Sequence, residues 1–147
     1  MPDGTNTFTG VFSTSEVKVK IQTGTSTFSE IADMEEASLT IETNVETWYS
    51  IKDGGWANAL ATAKSWKMTL NGKRSVGDTG NNYLAGLAFK NGRDLNTKVQ
   101  LTFPDETVFE GDVVAAVNNF GVASATNVGP LSAEFTGRGK PTYPVTT

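Results

Sequence analysis

Three groupings in this 147-residue chain carry side chains from which a site could be built. They are the carboxylates Glu42 and Glu46, the acidic run Asp33, Glu35 and Glu36, and the indoles Trp48, Trp56 and Trp66. Two carboxylates can divide acid and base work on a glycosidic bond, but four residues of extended strand put Glu42 and Glu46 roughly 13 Å apart, wider than such a pair allows. They suit an electrostatic surface better. The acidic run lacks the spaced oxygen ligands and turn glycine of a calcium loop, so a solvated acidic loop is the expectation there. Gly72-Lys73-Arg74-Ser75 superficially matches the end of a phosphate-binding loop, yet Lys67 stands where the earlier glycine is required, and neither Ser nor Thr follows Lys73 directly. Three indoles could form a sugar-binding platform, but Trp66 shares strand parity with Met68 and Leu70 and belongs with the core. Trp48 interrupts a polar strand face and Trp56 sits near a hairpin tip, where a lone copy offers little cover. Exposed indoles often mark a partner surface.

Composition narrows the chemistry further. The chain has no His and no Cys, which removes the commonest general base near neutral pH, the commonest metal ligands and every thiol nucleophile. No catalytic residue, cofactor or metal site is expected, since an enzyme here would need a carboxylate pair or lysine chemistry that no constellation supplies. The net charge of −4 offers no basic surface for gripping phosphates. The first residues lack a basic region and an apolar core, and no stretch approaches the roughly 20 apolar residues that span a bilayer. A chain made and used in solution, with no membrane partner, is the expectation.

The elements that must position these residues are mostly strands. Thr, Ser, Asn and Gly are abundant while apolar residues make up 37%, a mix that favours strands and turns. Residues 1–15, with Phe8, Val11 and Phe12 as isolated apolar points, read as an N-terminal arm, residues 16–137 as one domain and 138–147 as a C-terminal arm. Val17, Val19 and Ile21 alternate with lysines as in a strand. The strongest pattern is a long hairpin over about 38–72. Leu39, Ile41, Val45, Tyr49 and Ile51 lie on one side of its first strand, with Ser38, Thr40, Glu42, Asn44, Glu46 and Ser50 opposite. Leu60, Trp66, Met68 and Leu70 line the returning strand, opposed by Ala61, Ala63, Ser65, Lys67, Thr69 and Asn71. Fourteen extended residues span roughly 46 Å, far beyond a usual strand, so this one is expected to leave its own domain. Residues 56–64 are also compatible with a short helix on propensity. Asp78 caps a helix over about 78–89, with Tyr83, Leu84, Leu87 and Ala88 at helical spacing. A second hairpin turns at Pro104-Asp105-Glu106, and a last strand covers Leu131–Thr136. Strands, one helix, then strands argue for a mainly β (α+β) fold, a β-sandwich or barrel with one flanking helix.

Residues 63–83 (AKSWKMTLNGKRSVGDTGNNY), 101–113 (LTFPDETVFEGDV) and 126–131 (TNVGPL), the last followed by Gly137-Arg138-Gly139-Lys140-Pro141, resemble segments of tail tube proteins from phages and phage-like particles, of the Gram-positive type. The likeness covers most of residues 38–143 and rests on the order and spacing of the three segments. It implies a structural virion protein, not an enzyme, that forms hexameric rings whose strands join into a continuous inner β-barrel. Stacked rings would make the tube through which double-stranded DNA passes as transient cargo during ejection. A tape measure protein inside the tube, and tail terminator and baseplate proteins at its ends, are further implied partners. The implied location is the virion tail, after assembly in the bacterial host cytoplasm. The chain stops at Thr147, so the immunoglobulin-like domain that decorates some larger relatives is not expected.

A hairpin with one apolar and one polar face exposes unpaired backbone edges in a monomer, and closure into a barrel removes them. Within that arrangement strand parity makes Glu42, Asn44, Glu46, Lys67, Thr69 and Asn71 the candidate lumen face. Lys52, Asp53 and Trp56 at the tip, with Phe8 and Phe12 of the first arm, are the candidate inter-ring contacts. The alternative is a secreted β-sandwich carbohydrate-binding or adhesin module, which would share the strands and exposed tryptophans but bind glycans as a monomer.

Overall fold

The structure is a computed structural model, described here over residues 8–145. Alternation places Val19 and Ile21 of Lys18–Gln22 (β1) in the core, with lysines facing out. Phe28–Glu30 (β2), too short to leave a sequence signal, pairs with β1. The long hairpin comprises Met34–Tyr49 (β3) and Ala57–Lys73 (β4). Asn96–Thr102 (β5), Val108–Phe120 (β6) and Pro130–Gly137 (β7) follow the helix Thr79–Gly86 (α1). All pairings are antiparallel, in one seven-stranded sheet of order β2-β1-β5-β6-β7-β4-β3. The expected layers are therefore parts of a single sheet, which is not a closed barrel.

Only Ile31, Ala32 and Asp33 separate β2 at one edge of the sheet from β3 at the other. Ile31 N–H donates to the Val19 carbonyl (3.0 Å) and Lys73 N–H donates to the Asp33 carbonyl (2.8 Å), so these residues tie the two sides of the sheet together at one corner. Gly72 makes the passage possible, because a Cβ there would overlap the Asp33 carbonyl. A polar cluster holds the corner. Asn81, fully buried, donates to the carbonyls of Ala32 (3.1 Å) and Lys73 (2.9 Å), and its Oδ1 accepts from Arg74 (2.8 Å) and from Ser75 N–H (3.0 Å). Asp78 caps α1 by accepting from Asn81 N–H (2.9 Å), and the same oxygen accepts from Ala32 N–H (3.1 Å). The side-chain amide thus meets its full capacity for hydrogen bonds.

The apolar face of the curled sheet and α1 enclose one core. Met68, Leu70, Val99, Val113, Leu131 and Phe135 contribute from strands, and Leu84 and Leu87 from the helical segment. Trp66 packs edge-on against Phe109 (5.2 Å between centroids) over Gly111 and Gly137, where any Cβ would collide with the indole. Trp66 accordingly belongs to the core, as its parity indicates. The helix runs to Gly86 and continues as one 3₁₀ turn, Leu87–Phe89.

Residues 57–64 are strand, as the hairpin reading expects, and the helical alternative fails because pairing with β3 outweighs the few tenths of a kcal/mol per residue by which alanine favours helix. Two local expectations change. Glu35 and Glu36 open β3 instead of lying in a loop. There Lys73 pairs with Glu35 (2.9 Å) and Asn71 donates to Glu36 (2.7 Å). Residues 138–145, read as an arm, lie along β6 where β7 would otherwise continue. Arg138 N–H donates to Asp112, Thr142 bridges Glu110, and Val145 N–H donates to Val108.

Replacing Asn81 with Leu removes the amide that serves two carbonyls, a guanidinium and an amide N–H. Unfolding free energy from urea titration should fall by about 3 kcal/mol or more, as several buried groups lose their partner together. Gly137→Ala, which forces a Cβ into the Trp66 indole, should cost about 1–3 kcal/mol and shift tryptophan emission, as seen by denaturation followed in fluorescence.

Candidate functional site

The residues singled out in the sequence converge on the β3–β4 hairpin. β4 pairs with β7 only from Lys67 onward, and β3 is the sheet's outermost strand. From Ile41 and Trp66 to the tip the hairpin is therefore a two-stranded ribbon with both outer backbone edges unpaired within the chain. An isolated ribbon of this kind is marginal in water, and its exposed edges invite further strands.

Register assigns the faces. Ile41, Val45 and Tyr49 lie opposite Trp66, Ala61 and Ala57, continuing the core face outward beyond the body that could cover it. Ser38, Thr40, Glu42, Asn44, Glu46 and Trp48 lie on the other face, opposite Thr69, Lys67, Ser65, Ala63, Leu60 and Asn58. A bulge leaves Thr62 without a partner in the ladder; Asn44 Nδ2 donates to its hydroxyl (2.7 Å). That extra residue overturns the expected parity of Leu60, which joins Glu46 and Trp48 on the polar face instead of Trp66 on the apolar one.

Glu42, Asn44, Glu46, Lys67, Thr69 and Asn71 share one face, but in two groups. Glu42, Asn44 and Glu46 stand on the free ribbon. Lys67, Thr69 and Asn71 lie over the body, where Thr136, Glu134 and Ser132 of β7 continue the same face. Glu36, read from the sequence only as part of an acidic loop, and Glu134, not singled out beforehand, extend it. The alternation of 131–136 does turn Glu134 outward; only the strand order reveals that it stands beside Thr69. Across β3, β4 and β7 this face carries Glu36, Glu42, Glu46 and Glu134 against Lys67 and, at the far end of β4, Lys73, which is paired with Glu35.

The tip is a 3₁₀ turn, Ile51–Asp53, followed by Gly54 and Gly55 at φ of 67° and 88°, which reverse the chain at little steric cost. Asn58 donates to the Asp53 carboxylate, bracing the turn, and Lys52 projects beside it into solvent. Ile51 is 99% exposed and Trp56 80%, with Tyr49 and half-exposed Trp48 close behind. Phe8 and Phe12 are elsewhere. They begin an edge-to-face series, Phe8 to Phe12 (6.4 Å), Phe12 to Phe103 (5.9 Å) and Phe103 to Tyr143 (5.9 Å), which packs the N-terminal segment on the β5–β6 turn. The first seven residues of the expected arm lie outside the described residues.

At the ribbon's root an apolar groove of about 490 Å³ lies between Ile41, Trp66, Gly139 and Pro141, and the Trp66 indole N–H donates to the Gly139 carbonyl (2.9 Å) across it. Among the described residues no three His, Cys, Asp or Glu side chains gather as metal ligands would, and no helix is long and apolar enough to cross a membrane.

Comparison with solved structures finds the same fold in two assemblies. One is the tail of an empty gene transfer agent particle refined with C6 symmetry, with a TM-score of 0.75 and 16% identity over 90% of this chain and 98% of that one. The other is the virion of a native gene transfer agent particle, with a TM-score of 0.73 and 14% identity over the same shares. No curated protein matches in sequence. The family model described as phage tail tube protein matches residues 14–143, a span that takes in the corner, the core and the whole ribbon, and the chain belongs to that family.

Proposed function

We propose that this protein is a structural, non-catalytic component of a tail tube, forming hexameric rings that stack with their lumen open to DNA. The observation that carries the reading is the ribbon, whose backbone edges and apolar side chains find no partner in a single copy. Six ribbons side by side would pair those edges into a closed barrel, leaving no free strand. The C6 symmetry of the gene transfer agent tail that shares this fold supports that number. Double-stranded DNA would be transient cargo, and the tape measure, tail terminator and baseplate proteins would meet the tube inside and at its ends.

The face bearing Glu42, Asn44, Glu46, Lys67, Thr69 and Asn71 would line the lumen. Its four carboxylates outnumber Lys67 and Lys73, the latter already paired with Glu35, and disfavour phosphate contact, so DNA could move without the counterion release that makes basic surfaces adhere. Lys52, Asp53 and Trp56 would reach the next ring. Phe8 and Phe12, docked on their own domain, would contribute there by shaping the surface around the β5–β6 turn.

Negative-stain electron microscopy over a concentration series, with sedimentation in parallel, should reveal hollow rings and tubes with six-fold end views. A strictly monomeric species that bound glycans would instead favour a binding module. Gly54→Asp combined with Trp56→Ala should abolish stacking while leaving circular dichroism and the melting temperature unchanged; normal polymerisation would remove the tip from the stacking surface. Tubes of Glu42→Lys/Glu46→Lys should co-sediment with DNA at low salt and release it as salt rises. Equal retention by unsubstituted tubes would refute the repulsive-wall reading.

A further inference from the structure

A second exposed apolar patch lies at the opposite end of the molecule from the ribbon tip. β4 runs from Ala57 at the tip to Lys73, a span of about 55 Å at extended-strand rise. Where it ends, Arg74 N–H donates to the Gly129 carbonyl (2.9 Å) and Lys73 pairs with Pro130, bringing in the ends of β6 and β7. Phe89 and Phe120 meet edge to face there (5.2 Å), Arg74 lies over the Phe120 ring (5.9 Å), and Val122 and Val128 flank the pair in the 121–129 loop. Phe89, Val122 and Val128 are each well over half exposed. The corner cluster and the core use none of these apolar side chains.

We propose that the ribbon tip of one copy seats on this Phe89–Phe120–Val122–Val128 patch of a copy in the adjoining ring. The inference rests on the stacked-ring reading and names the surface that receives the tip. Growth along an axis by identical units requires a heterologous contact, with two different surfaces at opposite ends of each copy, since tip against tip would end growth after one pair. The charges complement one another. Residues 42–58 carry Glu42, Glu46 and Asp53 against Lys52, whereas Arg74 lies over Phe120 in the patch and the exposed Lys90 directly follows Phe89 in the chain. Among the described residues Arg74 bonds only to neutral oxygens, those of Ser75, Asn81 and Asn82, so its charge remains uncompensated. The tip in turn presents Ile51 and Trp56, large apolar groups of the kind that anchor interfaces.

The absence of cysteine from the chain makes a clean cross-linking test. An Ile51→Cys/Val122→Cys double variant, oxidised after assembly and run on a non-reducing gel, should give a ladder extending beyond six copies. An equimolar mixture of the two single variants should give linked dimers that neither gives alone. Dimers from Ile51→Cys alone, a ladder ending at six, or no cross-link although tubes are visible would each overturn the proposal while sparing the stacked-ring reading. Absence of tubes from the unsubstituted protein would overturn both. Independently, Phe89→Glu should leave rings and circular dichroism intact and raise the concentration needed for tubes about tenfold; tubes at the usual concentration would overturn the proposal.

Discussion

The chain must pass from one edge of a seven-stranded sheet to the other in three residues, and most of the architecture follows from that. Ile31–Asp33 can bridge no more than about 14 Å, counting the links to its neighbours, whereas seven strands laid flat would be nearly 30 Å wide. The sheet has to curl until β2 and the start of β3 approach. Curling turns all the inward-pointing residues onto one another, which is why a single sheet and a short helix suffice to enclose a core. It also concentrates backbone polar groups at a crowded corner. Asn81 and Asp78 are the solution, with Gly72 giving the room.

The corner pulls β3 and β4 in at one end, and their length sends them out at the other. Where β7 stops, the strap of residues 138–145 takes its place beside β6, and the ribbon separates from the body above Trp66. The molecule thus has two regimes. Below Trp66, neighbouring strands pair on both sides of β4 and the inward-facing apolar side chains are covered. Above it, an extended ladder carries Ile41, Val45, Tyr49 and Ile51 into water, where fully burying each large apolar side chain against a partner would gain about 1.5–3 kcal/mol.

Much of this was legible in the residues themselves. Strict alternation located β1, the two hairpins and β7, and Asp78 announced the helix, because each signal is local. The faces of β3 and the core role of Trp66 followed from parity alone. Parity failed where a non-local event changed it, at the Thr62 bulge that carries Leu60 to the acidic face. β2 and the extra residues of β3 went unseen because three residues make no pattern, and because Glu35 and Glu36 are held in strand by Lys73 and Asn71, some 35 residues away. The buried role of Asn81 was equally hidden, since its four partners come from two separate segments, Ala32 and residues 73–75. Nor could Glu134 be joined to the face of Thr69 without the strand order.

The separation of the ribbon from the body has an evolutionary meaning. Substitutions in the core are screened first by folding, since a cavity beside Met68 or Phe135 is felt by every copy before any copy meets another. Ribbon residues beyond Trp66 touch nothing that a single copy needs in order to fold, so natural selection sees them only through the collective object they build. The body and the ribbon thus answer to different tests, the first to folding within one copy and the second to fit between copies.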